Sequence, residues 1–350
     1  MAHGADSGVL SRFQSIDFLK GLAVMAMIQV HITELFAVLV WQQSVLGRIS
    51  LFLGGPAAAP LFMVVMGYLA GIAKRTPFQL IVRGAKLIVW GLMLNIGMNA
   101  HLLLRIFLEG WPQHPLQYIF GVDILFLAGL SLILLAIAAL SGRYSAVAAL
   151  MLFAAILASV YLPPYTAADD SLVTYLMAFV HSDAGWSYFP IIPWAAYPLA
   201  GFVASRFWMM AGMPRPAELI NWLIVVAGIV VLGLSFSIGW QSATNLRSWY
   251  HHQAPVVLWN LVFVAAMAAA AGLVIEAYSS RPAVRWLCWT GRNVTAFYVF
   301  QWLIIGNLAT LLYQSRYPLQ LLFWFIAVVA ISSGCVWLWQ QARKRLSCLS

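Results

Sequence analysis

Residues 18–41 read FLKGLAVMAMIQVHITELFAVLVW, with Lys20 near the start and Glu34 near the end as the only formal charges. About 20 apolar residues at 1.5 Å each cross a hydrocarbon core about 30 Å thick. The run therefore predicts a membrane-spanning helix. It is too long for the apolar part of a cleavable leader, and no small-residue cleavage site follows it, so it reads as a true span.

The rest of the chain repeats the pattern. Further apolar runs of bilayer length cover 51–73, 84–104, 118–140, 144–162, 186–208, 219–240, 256–278, 293–313 and 318–340. Of the 350 residues 63% are hydrophobic and 8% charged, against about 25% charged in soluble chains. A mean hydropathy of +0.89 excludes two soluble domains of ordinary size. The expected fold is all-α: a polytopic bundle of about ten transmembrane helices, because open sheets leave backbone groups unsatisfied in lipid. It is expected to form a single domain over 1–350, with a cytoplasmic N-terminal segment at 1–17 and a basic cytoplasmic tail at 341–350.

The net charge of +9 has a membrane explanation. With both termini cytoplasmic, fifteen of the 19 Lys and Arg residues fall on the inner side, and only Arg48, Arg105, Arg247 and Arg316 on the outer. This is the bias of cytoplasmic loops, and no nucleic acid is needed to account for it. The inner set includes Lys74 and Arg215. His101, His114, His181, His251 and His252 fall on the outer side. Cys288, Cys335 and Cys348 form neither a disulfide framework nor a zinc spacing, and no metal is expected.

Ionisable groups inside spans are costly and mark sites. His31 lies 14 residues beyond Asp17, about 21 Å along the helix, so about two-thirds of the way toward the outer face. Glu34, three residues on, shares its helix face and either orients the imidazole or reaches the outer interface. Asp123, in FGVDILFLAGL, either caps the start of its helix or faces a polar cavity. Asn95 and Asn99 are expected to hydrogen-bond across helices. Gly67 and Gly71 suit close helix contact.

Prolines 190, 193 and 198 crowd the start of the run YFPIIPWAAYPLAG, and a bent segment lining a cavity is expected there. The stretch GGPAAAPLF at 54–62 behaves similarly. The loop 163–185 is external, with acids Asp169, Asp170 and Asp183, and its YLMAF segment suits a short surface helix. In TGRNVTAFYVFQWLIIG, Gly291 suits a sharp turn, Asn293 a helix cap, and Tyr298 and Gln301 share one face.

Five segments, taken in order, carry a resemblance: RFQSIDFLKGLAVMAMIQVHI (12–32), PLFMVVMGYLAG (60–71), VDILFLAGLSLIL (122–134), FPIIPWAAYPLAG (189–201) and WTGRNVTAFYVFQWL (289–303). Together they resemble the motifs of transmembrane acyltransferases, most nearly the heparan-α-glucosaminide N-acetyltransferase family. The sequence departs from the family pattern in three places. Lys20 replaces an arginine, which keeps charge and loses the guanidinium fork. Val294 replaces a serine. Gln301 replaces the final histidine and cannot act as a base. No histidine stands in residues 32–50, where the family places its acetyl-accepting one, so His31 is the substitute candidate.

The resemblance implies transfer of an acyl group, usually acetyl, from cytosolic acyl-CoA to an outward-facing glycan or lipid-linked sugar, and it implies a homodimer. His31, Glu34 and Asp123 are the catalytic candidates, with His31 as general base or transient nucleophile. Lys20, Arg83, Lys86 and Arg292 would meet the CoA phosphates. Asn293, Tyr298, Gln301 and Trp194 would line the path, with Trp194 as a sugar platform. A compact chain of this kind suits a bacterial inner membrane, with the active site toward the outer side. Two other classes remain at this point: a proton-coupled transporter of small molecules or lipids, which would use the same buried histidine and broken helices, and a non-catalytic scaffold.

Overall fold

The structure is a computed structural model that describes residues 3–73, 75–166, 171–210 and 218–347. Lys74, Asp169, Asp170, Arg215 and Cys348 lie outside the described residues. Helices dominate. Among the described residues the strand-like pairings are two isolated bridges, Ala37 with Arg316 and Tyr165 with Ser182.

Every one of the ten apolar runs is helical, but not all as straight spans. Among the described residues seven helices are long and apolar enough to cross a membrane: Gln14–Phe36, Val45–Ile72, Pro77–Met98, Tyr144–Tyr161, Ala254–Tyr278, Val294–Leu312 and Pro318–Leu346. An eighth candidate is the pair Glu218–Leu234 and Phe236–Ala243, bent by 71° at Ser235. The remaining two runs depart from the expected ten spans for local reasons. Ile124–Leu140 is a shorter apolar helix of 17 residues, because Asp123 caps it late. The 186–208 run is divided into Ile191–Trp194 and Ala196–Met210, where Pro190 and Pro193 remove backbone donors. The run expected over 84–104 is likewise two helices, Pro77–Met98 and Ala100–Glu109.

The chain divides into two compact units. The first comprises Met1–Ala58, Gly97–Pro112 and Val274–Ser350. Its first helix, His3–Phe36, lies against Pro282–Arg292 at backbone contact. A Cβ on Gly21 would sit 2.1 Å from the Leu287 carbonyl oxygen, and one on Gly291 1.8 Å from that of Asp17. Gly291 therefore serves close packing inside a helix, not the sharp turn expected of it.

The C-terminal end of the first helix is closed by protein groups. A helix leaves its last four carbonyls without intrahelical partners. Here the Gln314 N–H donates to Leu35 O at 2.9 Å and the Arg316 N–H to Phe36 O at 2.8 Å. The Gln42 side-chain amide donates to the carbonyls of Thr33, Glu34 and Ala37 at 3.0–3.1 Å. Gln314 holds φ at 47° to make its turn, a conformation uncommon outside glycine.

The second unit comprises Ala59–Ile96 and Gln113–Leu273. Its centre is the pair Ala59–Ile72 and Ala196–Met210. Gly67 meets the Pro198 carbonyl and Gly201 that of Val64, with a Cβ at either site 1.8–2.0 Å from the oxygen. Gly71 faces Ser205. The expectation of close contact at Gly67 and Gly71 is thus met by plain small-residue packing. Leu80, Leu132, Leu135 and Phe202 form the buried core around this pair. The YLMAF segment is helical within Leu172–Val180.

Candidate active site

In the first unit the polar centre is His31. The ring stands partly buried on the first helix. Its Nδ1 lies 3.5 Å from Oε1 of Gln301, which comes from the Val294–Leu312 helix. The ring also stacks on Trp302, with centroids 4.1 Å apart and planes tilted by 35°. Gln301 is fully buried, and its Nε2 has no hydrogen-bond partner among the described residues. Tyr298, one turn earlier, is buried as well. The acceptor beside Nδ1 is therefore Gln301, while Glu34 stands half-buried three residues beyond His31.

A second polar cluster on the first helix escaped the sequence reading. Gln29 Nε2 donates to Thr33 Oγ1 at 3.2 Å and to Ser50 Oγ, and Thr33 Oγ1 lies 2.7 Å from Ser50 Oγ. Positions two apart on a helix point to roughly opposite sides. Gln29 and Thr33 thus occupy the face away from His31, where they tie the first helix to Val45–Gly54.

At the other end of the first helix, Lys20 Nζ is paired with Asp17 at 2.8 Å. Arg292 is exposed, next to Gly291, which touches Asp17. Asn293 does not make the expected side-chain cap of the following helix. Its Nδ2 donates to Trp289 O at 2.8 Å, and its Oδ1 accepts from Gln340 Nε2 at 2.6 Å. Trp289 Nε1 donates to Gln340 Oε1 at 3.3 Å. Both ends of the Asn293 amide are thus occupied in tying three helical turns together.

In the second unit Asp123 is an N-cap. Its Oδ1 accepts from the N–H groups of Leu125 at 3.0 Å and Phe126 at 3.1 Å, the pattern that satisfies the first orphan donors of a helix. Asn95 Nδ2 donates to the carbonyls of Ile119 at 3.1 Å and Gly121 at 2.7 Å, which holds the loop leading into that cap. Arg83 and Lys86 are exposed on Pro77–Met98. Arg83 lines a shallow groove of about 360 Å³ with Arg75, Phe78, Gln79 and Val82.

Trp194 is not an open platform. It is fully buried, and its Nε1 donates to Tyr250 O at 2.8 Å. Phe189, Tyr197 and His252 crowd its ring, with centroids 4.7, 5.4 and 4.8 Å away. The aromatic richness that suggested sugar stacking belongs here to packing.

Beside Trp194 lies a buried network that the sequence did not reveal. Tyr197 O–H lies 2.7 Å from Nε2 of His252, Asn260 Nδ2 donates to the Tyr197 oxygen at 2.9 Å, and Nδ1 of His252 lies 2.7 Å from Trp249 O. The carbonyl fixes the proton on Nδ1, so Nε2 accepts from the tyrosine. Burial pushes His252 down to about 4, so the ring stays neutral in the fold. Tyr197→Phe is expected to cost about 1–3 kcal/mol for each buried group left without its partner, read from the melting temperature. The sign of the pH effect follows from linkage. An unfolded histidine takes up a proton near pH 6.5 and the folded one near 4, so stability is lost as pH falls between them. The slope of melting temperature against pH in that window should be shallower in His252→Gln; an unchanged slope would refute the neutral, buried assignment.

Comparisons with known proteins add one finding. No curated protein and no solved structure matches the chain. A family model does match, over residues 12–229, more than half of the chain. It covers Lys20, His31, Glu34, Arg83, Lys86, Asp123 and Trp194, and it stops short of Asn293, Tyr298 and Gln301. By that match the chain belongs to the family described as heparan-alpha-glucosaminide N-acetyltransferase, catalytic, whose members are multi-pass membrane acetyltransferases.

Proposed function

We propose that this protein moves an acetyl group from cytosolic acetyl-CoA to an amine or hydroxyl of a glycan or lipid-linked sugar on the far side of the membrane, with His31 at the point of transfer. The observation that carries the reading is the histidine itself. It is partly buried within a spanning helix, stacked on Trp302 and bonded through Nδ1, and it lies inside the segment that matches the family. In the proposed step the acceptor's nitrogen or oxygen attacks the thioester carbonyl carbon while its proton passes to Nε2 of His31. The C–S bond then breaks, and the CoA thiolate leaves and takes up a proton. The charge distribution supports cytoplasmic termini and fits a bacterial inner membrane.

The exposed Arg83 and the half-buried Arg75, beside Phe78 and Val82, suit a phosphate-bearing donor with an apolar arm. Calorimetry of detergent-purified protein is expected to show saturable acetyl-CoA binding that weakens with salt. Arg83→Ala should lose about tenfold in affinity, on the order of one charge-assisted hydrogen bond. Absence of binding by folded wild-type protein would sink the proposal.

A transporter would use the same histidine, and the span broken by 71° suits one. It predicts movement of solute without any thioester, and family membership favours transfer.

A further inference from the structure

Gln301 stands out among the buried polar side chains of the first unit. It is fully buried in a spanning helix. Its Oε1 faces Nδ1 of His31, while its Nε2 is buried with no partner. A glutamine kept in an apolar interior usually ties both ends of its amide into the fold, as Asn293 does. Among the described residues Gln301 makes one side-chain hydrogen bond, and that bond goes to the histidine.

The chemistry of that bond has a direction. An amide oxygen accepts and cannot donate. The ring nitrogen facing it must therefore carry the hydrogen, and in a neutral imidazole the other nitrogen is then a bare lone pair. Nε2 of His31 has no hydrogen-bond partner among the described residues. The stack on Trp302 limits tilting of the ring, and the amide oxygen beside Nδ1 favours the tautomer that carries its hydrogen there. Nδ1 to Oε1 is 3.5 Å, a long hydrogen bond of the kind that substrate binding can tighten.

We propose that Gln301 is a positioning residue: it holds His31 in the Nδ1–H tautomer, so that Nε2 is the atom available to take the acceptor's proton. The inference rests on the acetyl-transfer reading for its purpose, but the tautomer is a property of the protein alone. A carbonyl-type oxygen at position 301 is what the arrangement requires. The residue need not be a base.

The first test does not depend on activity. In protein labelled with ¹⁵N-histidine and held in lipid, subtracting the His31→Ala spectrum isolates the two ring nitrogens of His31. The expected spectrum shows a protonated Nδ1 and a bare Nε2. Gln301→Met keeps the length of the side chain and removes the acceptor, and it should move population toward the Nε2–H form that histidine prefers in water. A wild-type ring protonated on Nε2, or a tautomer unchanged in Gln301→Met, would overturn the proposal whether or not the protein transfers acetyl groups.

The second test uses CoA release from acetyl-CoA with glucosamine as the probe acceptor. Gln301→Met should lower kcat about tenfold to a hundredfold and leave KM for acetyl-CoA within about twofold, on the scale of a misplaced general base. Gln301→Glu restores an acceptor oxygen and should recover most of kcat, with the acid limb of the rate profile moved to higher pH because a carboxylate favours the imidazolium. A packing role predicts the reverse order: Met, the apolar match in size, would be the milder change, and no limb would move. That reverse order overturns the positioning role. Failure of wild type to release CoA would count against the transfer reading, and the spectra would still decide the tautomer.

Discussion

The His31→Ala protein is expected to transfer acetyl groups about a hundredfold to ten-thousandfold more slowly than wild type, the usual worth of a general base. The substitution removes the imidazole that Gln301 and Trp302 hold in place and touches no other hydrogen bond of the ring. Its structural cost should be small beside its catalytic one. The first helix keeps its packing through Gly21 and Gly54 and its polar tie through Gln29, Thr33 and Ser50. Label transfer from radioactive acetyl-CoA, measured alongside the melting temperature, separates the two costs. Retention of more than a tenth of the wild-type rate in well-folded protein would remove His31 from the chemistry. Binding of acetyl-CoA should persist, because the exposed cations are untouched.

The second large effect is on folding. Gly67→Val and Gly201→Val each place a side chain where a backbone oxygen already stands, 1.8 Å and 2.0 Å from the position of the new Cβ. A carbonyl in a helix cannot swing aside as a side chain can. The helices Ala59–Ile72 and Ala196–Met210 must instead separate, at a cost of about 3 kcal/mol or more each. Between helices packed in a membrane the driving force is this close contact itself, since lipid is as apolar as leucine. Both variants should therefore yield little monodisperse protein after detergent extraction. Gly334→Ala is the matching control. It lies in the Pro318–Ser347 helix with nothing within 4 Å of a built Cβ, and alanine there should be neutral or stabilising by about 1 kcal/mol. Equal recovery of Gly201→Val and Gly334→Ala would refute the packing argument.

The helical runs were legible because bilayer thickness sets a length and hydropathy marks it. The cap at Asp123 was legible as one of two readings, because it is a contact between near neighbours in sequence. Which face of a helix looks inward was not. In a soluble helix the buried side is the apolar side, whereas here lipid and protein interior both favour apolar residues. Trp194 therefore read as a sugar platform, and the structure buries it instead. The partnership of His31 with Gln301 joins positions 270 apart and follows no spacing rule. Gln301 itself was visible as a departure from a family motif, and the departure suggested lost chemistry, whereas the geometry places its amide oxygen beside His31. The network of Tyr197, His252 and Asn260 left no signal beyond an adjacent pair of histidines.

The closure at the end of the first helix has a consequence for where water can be. A helix whose last carbonyls are met by solvent must end where solvent is. Here the carbonyls of Thr33 through Ala37 are met by Gln42 and by the backbone of Gln314 and Arg316, so the helix is free to stop at a depth that packing chooses. His31 stands one turn before that end. Just beyond it the helix is closed by a seal of amides, with no hydrated terminus needed there. In the proposed transfer, an acyl thioester brought to His31 would be shielded on that side from the solvent that would hydrolyse it.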